Sequence, residues 1–265
     1  MSILCADPLW SAYALADRQP QLAPYCRWLL PAQEDEAGVV LLFNGLTPPV
    51  LFAAGSSTGV AAALEGERLP DAVYLSVLPE HLPAMALHCE WSELRPMWRM
   101  VLVGPPPVVA PPASYHFRPL KQVDLSAVEA LFAHGGPFTP DAFAAHQLEL
   151  GPFYAAVDAD GRLAAIGGTH VVDPQHSICA LGNFYTRPDC RGQGLATALL
   201  GVLVAQLRAS RITTIVLNVD QRNRAAERIY RRSGFAIHCG YFEGLATLRR
   251  PQVDLVGIDS RCGGL

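Results

Sequence analysis

Along this chain, short runs rich in β-branched residues alternate with stretches whose apolar positions recur at helical spacing, the pattern of interleaved strands and helices. Leu9 to Ala16 reads as a helix carrying Trp10 and Tyr13, and Leu22 to Leu30 as a second short one. Val39 to Phe43 and Val50 to Ala53 read as strands, joined through Asn44-Gly45-Leu46-Thr47-Pro48-Pro49 into a hairpin. Val60 to Leu64 and Leu82 to His88 are expected helices, and Ala72 to Leu78 and Pro96 to Val103 expected strands.

The stretch from Gly104 to Ala113 holds five prolines and suits neither a helix interior nor a central strand. It reads as an extended linker. The expected organisation is an N-terminal α/β domain over 1–104, a linker over 105–113, a second domain over 114–250 and an unassigned tail over 251–265.

The second half opens with a strand at Tyr115 to Pro119 and a helix at Leu125 to Phe132, with Asp124 as its cap. Another helix is expected around Asp141 to Leu150. Tyr154 to Val157 and Leu163 to Val172 form a hairpin, and Ile178 to Arg187 continues as a strand. Leu195, Leu199, Leu203 and Leu207 then fall at steps of four, a helix buried against a sheet. Ile212 to Val219, apolar on both faces, reads as a central parallel strand. Asn223 caps a helix that ends near Arg232, Gly234 stops it, and Phe235 to Leu248 reads as two closing strands.

Composition narrows the class. With 51% apolar and 17% charged residues over 265 positions, the chain has ample material for a packed core. A net charge of −4 gives no overall attraction to nucleic acid or an anionic membrane. The seven cysteines are scattered without C-x-x-C spacing, which argues against a disulfide framework or structural zinc site and fits a reducing compartment. No signal peptide is evident, and the apolar runs fall far short of the ~20 residues a membrane span needs. The expectation is a soluble cytoplasmic protein, monomeric or homodimeric, with no metal, nucleic-acid or membrane partner.

The candidate chemistry gathers at Gly182-Asn183-Phe184-Tyr185-Thr186-Arg187-Pro188-Asp189-Cys190-Arg191-Gly192-Gln193-Gly194-Leu195-Ala196-Thr197. A strand stops, a glycine turn follows, and an apolar helix begins at once. Such a turn aims several N–H groups, with a helix's positive end behind them, at one point, and that arrangement binds phosphate. A dinucleotide fingerprint is the rival reading, but its third small position falls on Thr197.

Arg191-Gly192-Gln193-Gly194-Leu195-Ala196, then a strand, then Asn223-Arg224-Ala225-Ala226-Glu227-Arg228-Ile229-Tyr230 before Gly234-Phe235 resembles the GNAT superfamily of acyl-CoA-dependent N-acetyltransferases, with its R/Q-x-x-G-x-G/A turn and N-x-x-A-x-x-x-Y helix. The resemblance covers roughly Tyr115 to Arg249, and the wording from Gly182 to Pro188 is similar to a branch that includes glycine N-acyltransferase-like enzymes. It implies an α/β (α+β) fold with a central mixed, mostly antiparallel sheet flanked by helices, and acetyl-CoA or another acyl-CoA as cosubstrate. It implies that backbone groups of Phe184, Tyr185 and Thr186 pair with the pantetheine arm. The amides of Arg191, Gly192, Gln193, Gly194, Leu195, Ala196 and Thr197 would hold the pyrophosphate, with Arg191 or Arg187 adding charge. Asn223 is a cap or a cofactor contact. Tyr230 would protonate the departing thiolate: a phenol of pKa ~10 stays protonated at neutral pH and can donate to a thiolate. On periodicity alone Tyr230 is an ordinary core residue.

The general base is open. Ile178 to Thr186 contains no carboxylate, which leaves a water relay, Asp220, His170 or His176. Cys179 and Cys190 read as packing residues, and the arginines at 222, 224, 228, 231 and 232 as a solvated face that Glu227 pairs with. In the first half, Ala53 to Gly59 also links a strand to a helix but lacks a P-loop lysine and the turn arginine. That half reads as a non-catalytic cap, or a degenerate copy of the second, shaping the acceptor pocket, with Trp10, Trp28, Trp91 and Trp98 mostly in its core. The function implied is acyl transfer to a primary amine of a small molecule or peptide by direct attack in a ternary complex. The alternative is a non-catalytic acetyl-CoA sensor or scaffold.

Overall fold

The fold was analysed in a computed structural model, which describes residues 2–33, 36–106, 110–140, 143 and 145–249. The helices are α1 (Ser2–Ala6), α2 (Ala12–Ala16), α3 (Ser57–Leu64), α4 (Leu82–His88), α5 (Leu125–Phe132), α6 (Gln147–Leu150), α7 (Leu195–Ala209) and α8 (Arg224–Arg232). The strands are β1 (Cys26–Leu29), β2 (Gly38–Phe43), β3 (Val50–Gly55), β4 (Ala72–Val77), β5 (Cys89–Glu90), β6 (Arg95–Leu102), β7 (His116–Pro119), β8 (Tyr154–Val157), β9 (Leu163–Asp173), β10 (Ile178–Thr186), β11 (Thr214–Asp220) and β12 (Phe235–Leu248). No helix among the described residues is long and apolar enough to cross a membrane.

All twelve strands join one mixed sheet in the order β1-β2-β3-β4-β12-β6-β11-β10-β9-β8-β7, with β5 also on β12. Both halves of the chain contribute to its centre. Strand β6, from the first half, lies between β11 and β12 and is antiparallel to both. Strand β12 in turn pairs with β4 of the first half.

The cores follow this interleaving. On one face, Leu200, Leu203, Val204 and Leu207 of α7 pack with Met100 of β6 and Leu181, Leu217 and Phe235. On the other, Trp10 and Leu15 beside and within α2 pack with Phe52, Met97, Ile178, Val216 and Tyr241. Each cluster draws on both halves, so apolar burial, the dominant favourable contribution to folding, ties them together.

Four local expectations change. Leu22 to Leu30 is not a helix: a short turn at Ala23–Tyr25 leads into β1, which pairs antiparallel with β2. Adding an edge strand to the sheet outweighs the weak helical periodicity there. Asp124 does not cap α5; its carboxylate turns back to the Lys121 N–H at 2.9 Å and to Arg118 at 2.7 Å. The closing segment is one long strand, bent by a bulge between Ile237 and Cys239. The expected helix at Asp141 to Leu150 is described only as α6, since Asp141, Ala142 and Ala144 lie outside the described residues, as do residues 107–109 of the linker and 250–265.

Candidate active site

The site begins where two parallel strands part. β10 and β11 pair from Ile178↔Thr214 to Leu181↔Leu217 and no further. Beyond that point β10 stays on β9 as far as Thr186↔Ala165, and β11 stays on β6 as far as Asp220↔Met97. A wedge therefore opens between 182–186 and 218–220. Its β10 side is bent by an irregularity between Gly182 and Tyr185, where Asn183 adopts a positive φ of 56°. Asparagine tolerates that left-handed region better than most residues. Its side chain is buried and donates to Gln147 Oε1 at 2.9 Å, holding the bend in place.

The bend sorts the backbone groups. The Arg187 N–H bonds to Ala164, and in an antiparallel ladder residues two apart point the same way. Tyr185 therefore exchanges its bonds with Ile166, while Phe184 and Thr186 face the wedge. Tyr185 does not offer its backbone to a ligand as expected; its hydroxyl donates to the Gly135 carbonyl at 2.8 Å and its ring packs edge-on to Phe132. The Thr186 carbonyl accepts Nε of Arg191 at 3.1 Å, so that arginine is positioned at the wedge.

Residues 187–194 then bridge to α7. Gly192 and Gly194 have φ of +77° and +80°, and the space a Cβ would enter at either is empty. Among the described residues no acceptor takes the N–H groups of residues 192–197. Gln193 is held by the Tyr115 hydroxyl at 3.0 Å. A row of unpaired amides at the N-terminus of a helix of 15 residues is a cradle for a phosphorylated ligand, and the donor set fits the pyrophosphate of acyl-CoA. Arg187 is excluded from that role. Its Nε bonds Asp189, its Nη2 bonds Asp158 and Cys190 Sγ, and its Nη1 bonds the Leu163 carbonyl, so it is a clasp under the turn. Asp189 and then Asp158 hold its pKa above the usual range.

Tyr230 sits 8% exposed on the α7–α8 side of the wedge, its ring edge-on to Phe184 at 6.1 Å. Burial pushes its phenol well above the usual pKa, so it holds its proton throughout the neutral range. Asn223 is a cap: Oδ1 accepts the Ala226 N–H at 3.1 Å. Glu227 pairs with Arg231 and Arg224, which hold its carboxyl below the usual range, and the other arginines of α8 are exposed.

The structure separates the base candidates. His176 lies in the β9–β10 turn, at the far end of β10, its Nδ1 hydrogen-bonded to buried Asp173 at 2.5 Å. Asp220 reaches the wedge, yet Arg222 grips its carboxylate at 2.8 Å; burial would raise its pKa, and Arg222 outweighs that and lowers it. His170 alone of the three stands at the fork: its ring occupies the space over Gly182 that a Cβ there would need. Its Nδ1 is 2.8 Å from the Tyr13 hydroxyl, which also receives Asn218 Nδ2 at 3.4 Å. Buried Cys179 has its thiol pushed up by burial, and Cys190 is buried beneath Arg187; both are packing residues as expected. Asn183, Tyr13 and Asn218 were not singled out from the sequence. Asn183 stands inside the quoted motif, and a polar residue interrupting an apolar strand was the one available signal for it and for Asn218.

The comparisons with known proteins agree with this geometry. Residues 124–235 match the model of the Acetyltransferase (GNAT) family. A mycothiol acetyltransferase of Streptomyces avermitilis is 36% identical over 84 residues, 31% of this chain and 26% of that protein. The chain thus matches about a quarter of that relative's length. An Escherichia coli K12 [ribosomal protein bS18]-alanine N-acetyltransferase is 33% identical over 103 residues, covering 39% of this chain and 67% of that enzyme. A tandem GNAT protein from the clavulanic acid biosynthesis pathway shares the fold at a TM-score of 0.56 and 15% identity, over 89% of this chain and 88% of that one. With a parted pair of strands, an amide-lined turn and a relative matched over two thirds of its length, the chain belongs to the GNAT family of acetyltransferases.

Proposed function

We propose that this protein transfers an acetyl or short acyl group from acyl-CoA to a primary amine of a small molecule or peptide, by direct attack in a ternary complex. The observation that carries the reading is the row of N–H groups over residues 192–197, which no described residue accepts, set at the mouth of the wedge. On this reading residues 114–250 carry the transferase and residues 1–104, a degenerate copy of its strand–helix order, cover the acceptor side. The relatives' names support an amine acceptor: one is an N-acetyltransferase for an alanine of a ribosomal protein.

Acyl-CoA supplies the activated acyl group as a thioester. The amides of 192–197 hold its pyrophosphate, Arg191 adds charge, and the wedge-facing groups of Phe184 and Thr186 bond the pantetheine arm as an added strand would. Tyr230 and His170 stand on opposite faces of the wedge, Tyr230 with the α7–α8 core and His170 against Tyr13. The amine's lone pair forms the new N–C bond as the C–S bond breaks. The sulfur leaves with its electron pair and takes the Tyr230 proton, and the proton shed by nitrogen passes to His170. General acid and base groups of this kind contribute about 100-fold or more each.

The test is Tyr230→Phe assayed for acetyl-CoA-dependent thiol release across an amine panel. Turnover is expected to fall at least about tenfold with acetyl-CoA affinity held. Unchanged turnover refutes the acid role. A wild-type protein that binds CoA yet releases no thiol with any amine is a sensor, not a transferase.

A further inference from the structure

Among the described residues one buried cation, Arg99, has two of its three guanidinium nitrogens without an acceptor. Strand β6 places Arg99 opposite Asn218 of β11 and Cys239 of β12, and Arg99 is 2% exposed. Three aromatic rings surround it, with the guanidinium carbon 4.9 Å from the ring centre of Tyr13, 5.3 Å from Trp10 and 5.6 Å from Tyr241. Ring faces stabilise a cation, but they do not accept N–H bonds in the guanidinium plane. Among the described residues Nε and Nη1 are buried and find no acceptor, and Oδ1 of Asn218, on the paired strand, is buried and finds no donor. The carboxylate of Glu243, on the same strand as Tyr241, receives the Tyr241 hydroxyl at 2.6 Å.

Buried polar groups are almost always matched, and buried charges more strictly still. Here donors that suit an anion and an acceptor that suits an N–H stand next to each other. They adjoin Tyr13 and His170, where the amine has to arrive. A single molecule with an anionic end and an amine satisfies both. We propose that Arg99 and Asn218 form the acceptor subsite and that the acceptor is a primary amine carrying a carboxylate. The carboxylate accepts from Arg99, a charge-assisted bond. The amine donates one N–H to Asn218 Oδ1 and faces His170. This assignment rests on the transferase reading above. Trp10, just before α2, and Tyr13 within α2 cover Arg99, so on this assignment both rings must move aside for an acceptor to reach it. That helix has five residues, and Ser11 before it makes no side-chain cap bond.

The experiment compares amino acids with their matched carboxamides, which differ only in the anionic group. With wild-type protein and acetyl-CoA, kcat/KM for each carboxylate is expected to exceed that for its amide at least tenfold. Arg99→Met brings the ratio close to one while the Kd for acetyl-CoA stays within twofold. Asn218→Asp supplies Arg99 with an internal carboxylate and erases the preference without removing the buried cation, so it decides the matter if Arg99→Met fails to fold. Equal kcat/KM within each wild-type pair overturns the acceptor assignment and leaves the transferase standing. If no amine at all releases thiol, the transferase reading falls, and thermal shift then judges the subsite alone. Carboxylates that raise Tm where their amides do not support it, and no difference between them overturns it.

Discussion

The two halves of this protein make the same local move, and only in the second do the turn's amides stay without an acceptor among the described residues. In the first half, β3 runs into α3 with Ser56 alone between them. The Ser56 N–H bonds the Ala37 carbonyl at 2.6 Å, its hydroxyl takes the Gly59 N–H at 3.0 Å, and Gly59 presses on the backbone of Ala37 and Gly38. The helix N-terminus is filled from within. In the second half, residues 187–194 separate β10 from α7, and no described acceptor takes the amides of 192–197. A strand–turn–helix does not make a phosphate site by itself. What matters is whether the turn is long enough to hold its N–H groups away from the chain's own carbonyls.

The sharpest way to break the comparison is to substitute a glycine in each turn. Gly194→Val puts a β-branched residue at positive φ and fills empty space, so the chain should still fold while CoA affinity drops at least a hundredfold by calorimetry. Gly59→Ala drives a Cβ into the backbone of Ala37 and Gly38, so the denaturation midpoint should fall while the folded fraction binds CoA as before. Loss of CoA affinity in the second variant, or its retention in the first, ends the distinction.

A smaller effect is expected at Asp17, which follows α2. Burial pushes the Asp17 carboxyl up to about 7. The folded chain then keeps a proton that the unfolded chain releases above about pH 4, so this residue's contribution to stability falls as pH rises from there to about 7. Asp17→Asn should leave stability at pH 4 nearly unchanged and raise it at pH 8, read as urea midpoints at the two values. An equal shift at both would show that the residue does not titrate with folding. The smallest effect is expected at the caps: Asn223→Ala and Ser56→Ala should each cost about 1 kcal/mol of stability by urea unfolding. Only the first should also disturb Tyr230, because Asn223 starts the helix that carries it; a drop in turnover with Ser56→Ala would count against that.

These contrasts also mark how far the sequence could be read. The turn from Arg191 to Thr197 and the helix from Asn223 to Tyr230 were legible because each is contiguous, with glycine, cap and apolar spacing telling the same story. The pairing of β6 with β11 and β12 was not, since strand partners distant in sequence leave no local trace. For the same reason Tyr13, Arg99, His170 and Asn218 could not be grouped in advance: they come from four separate elements or their flanks. The backbone role expected of Tyr185 failed on direction, because the bend at Asn183 decides which amides turn to the wedge.

The place of β6 has a consequence for anyone dividing the molecule. Both of its neighbours in the sheet come from residues beyond position 200, so a gene cut near Gly104 would strip β11 and β12 of the strand that joins them. Neither fragment would inherit a finished wall, and the exposed ladder edges would invite aggregation. As two polypeptides, the pieces should be recovered in folded form only when they are co-expressed.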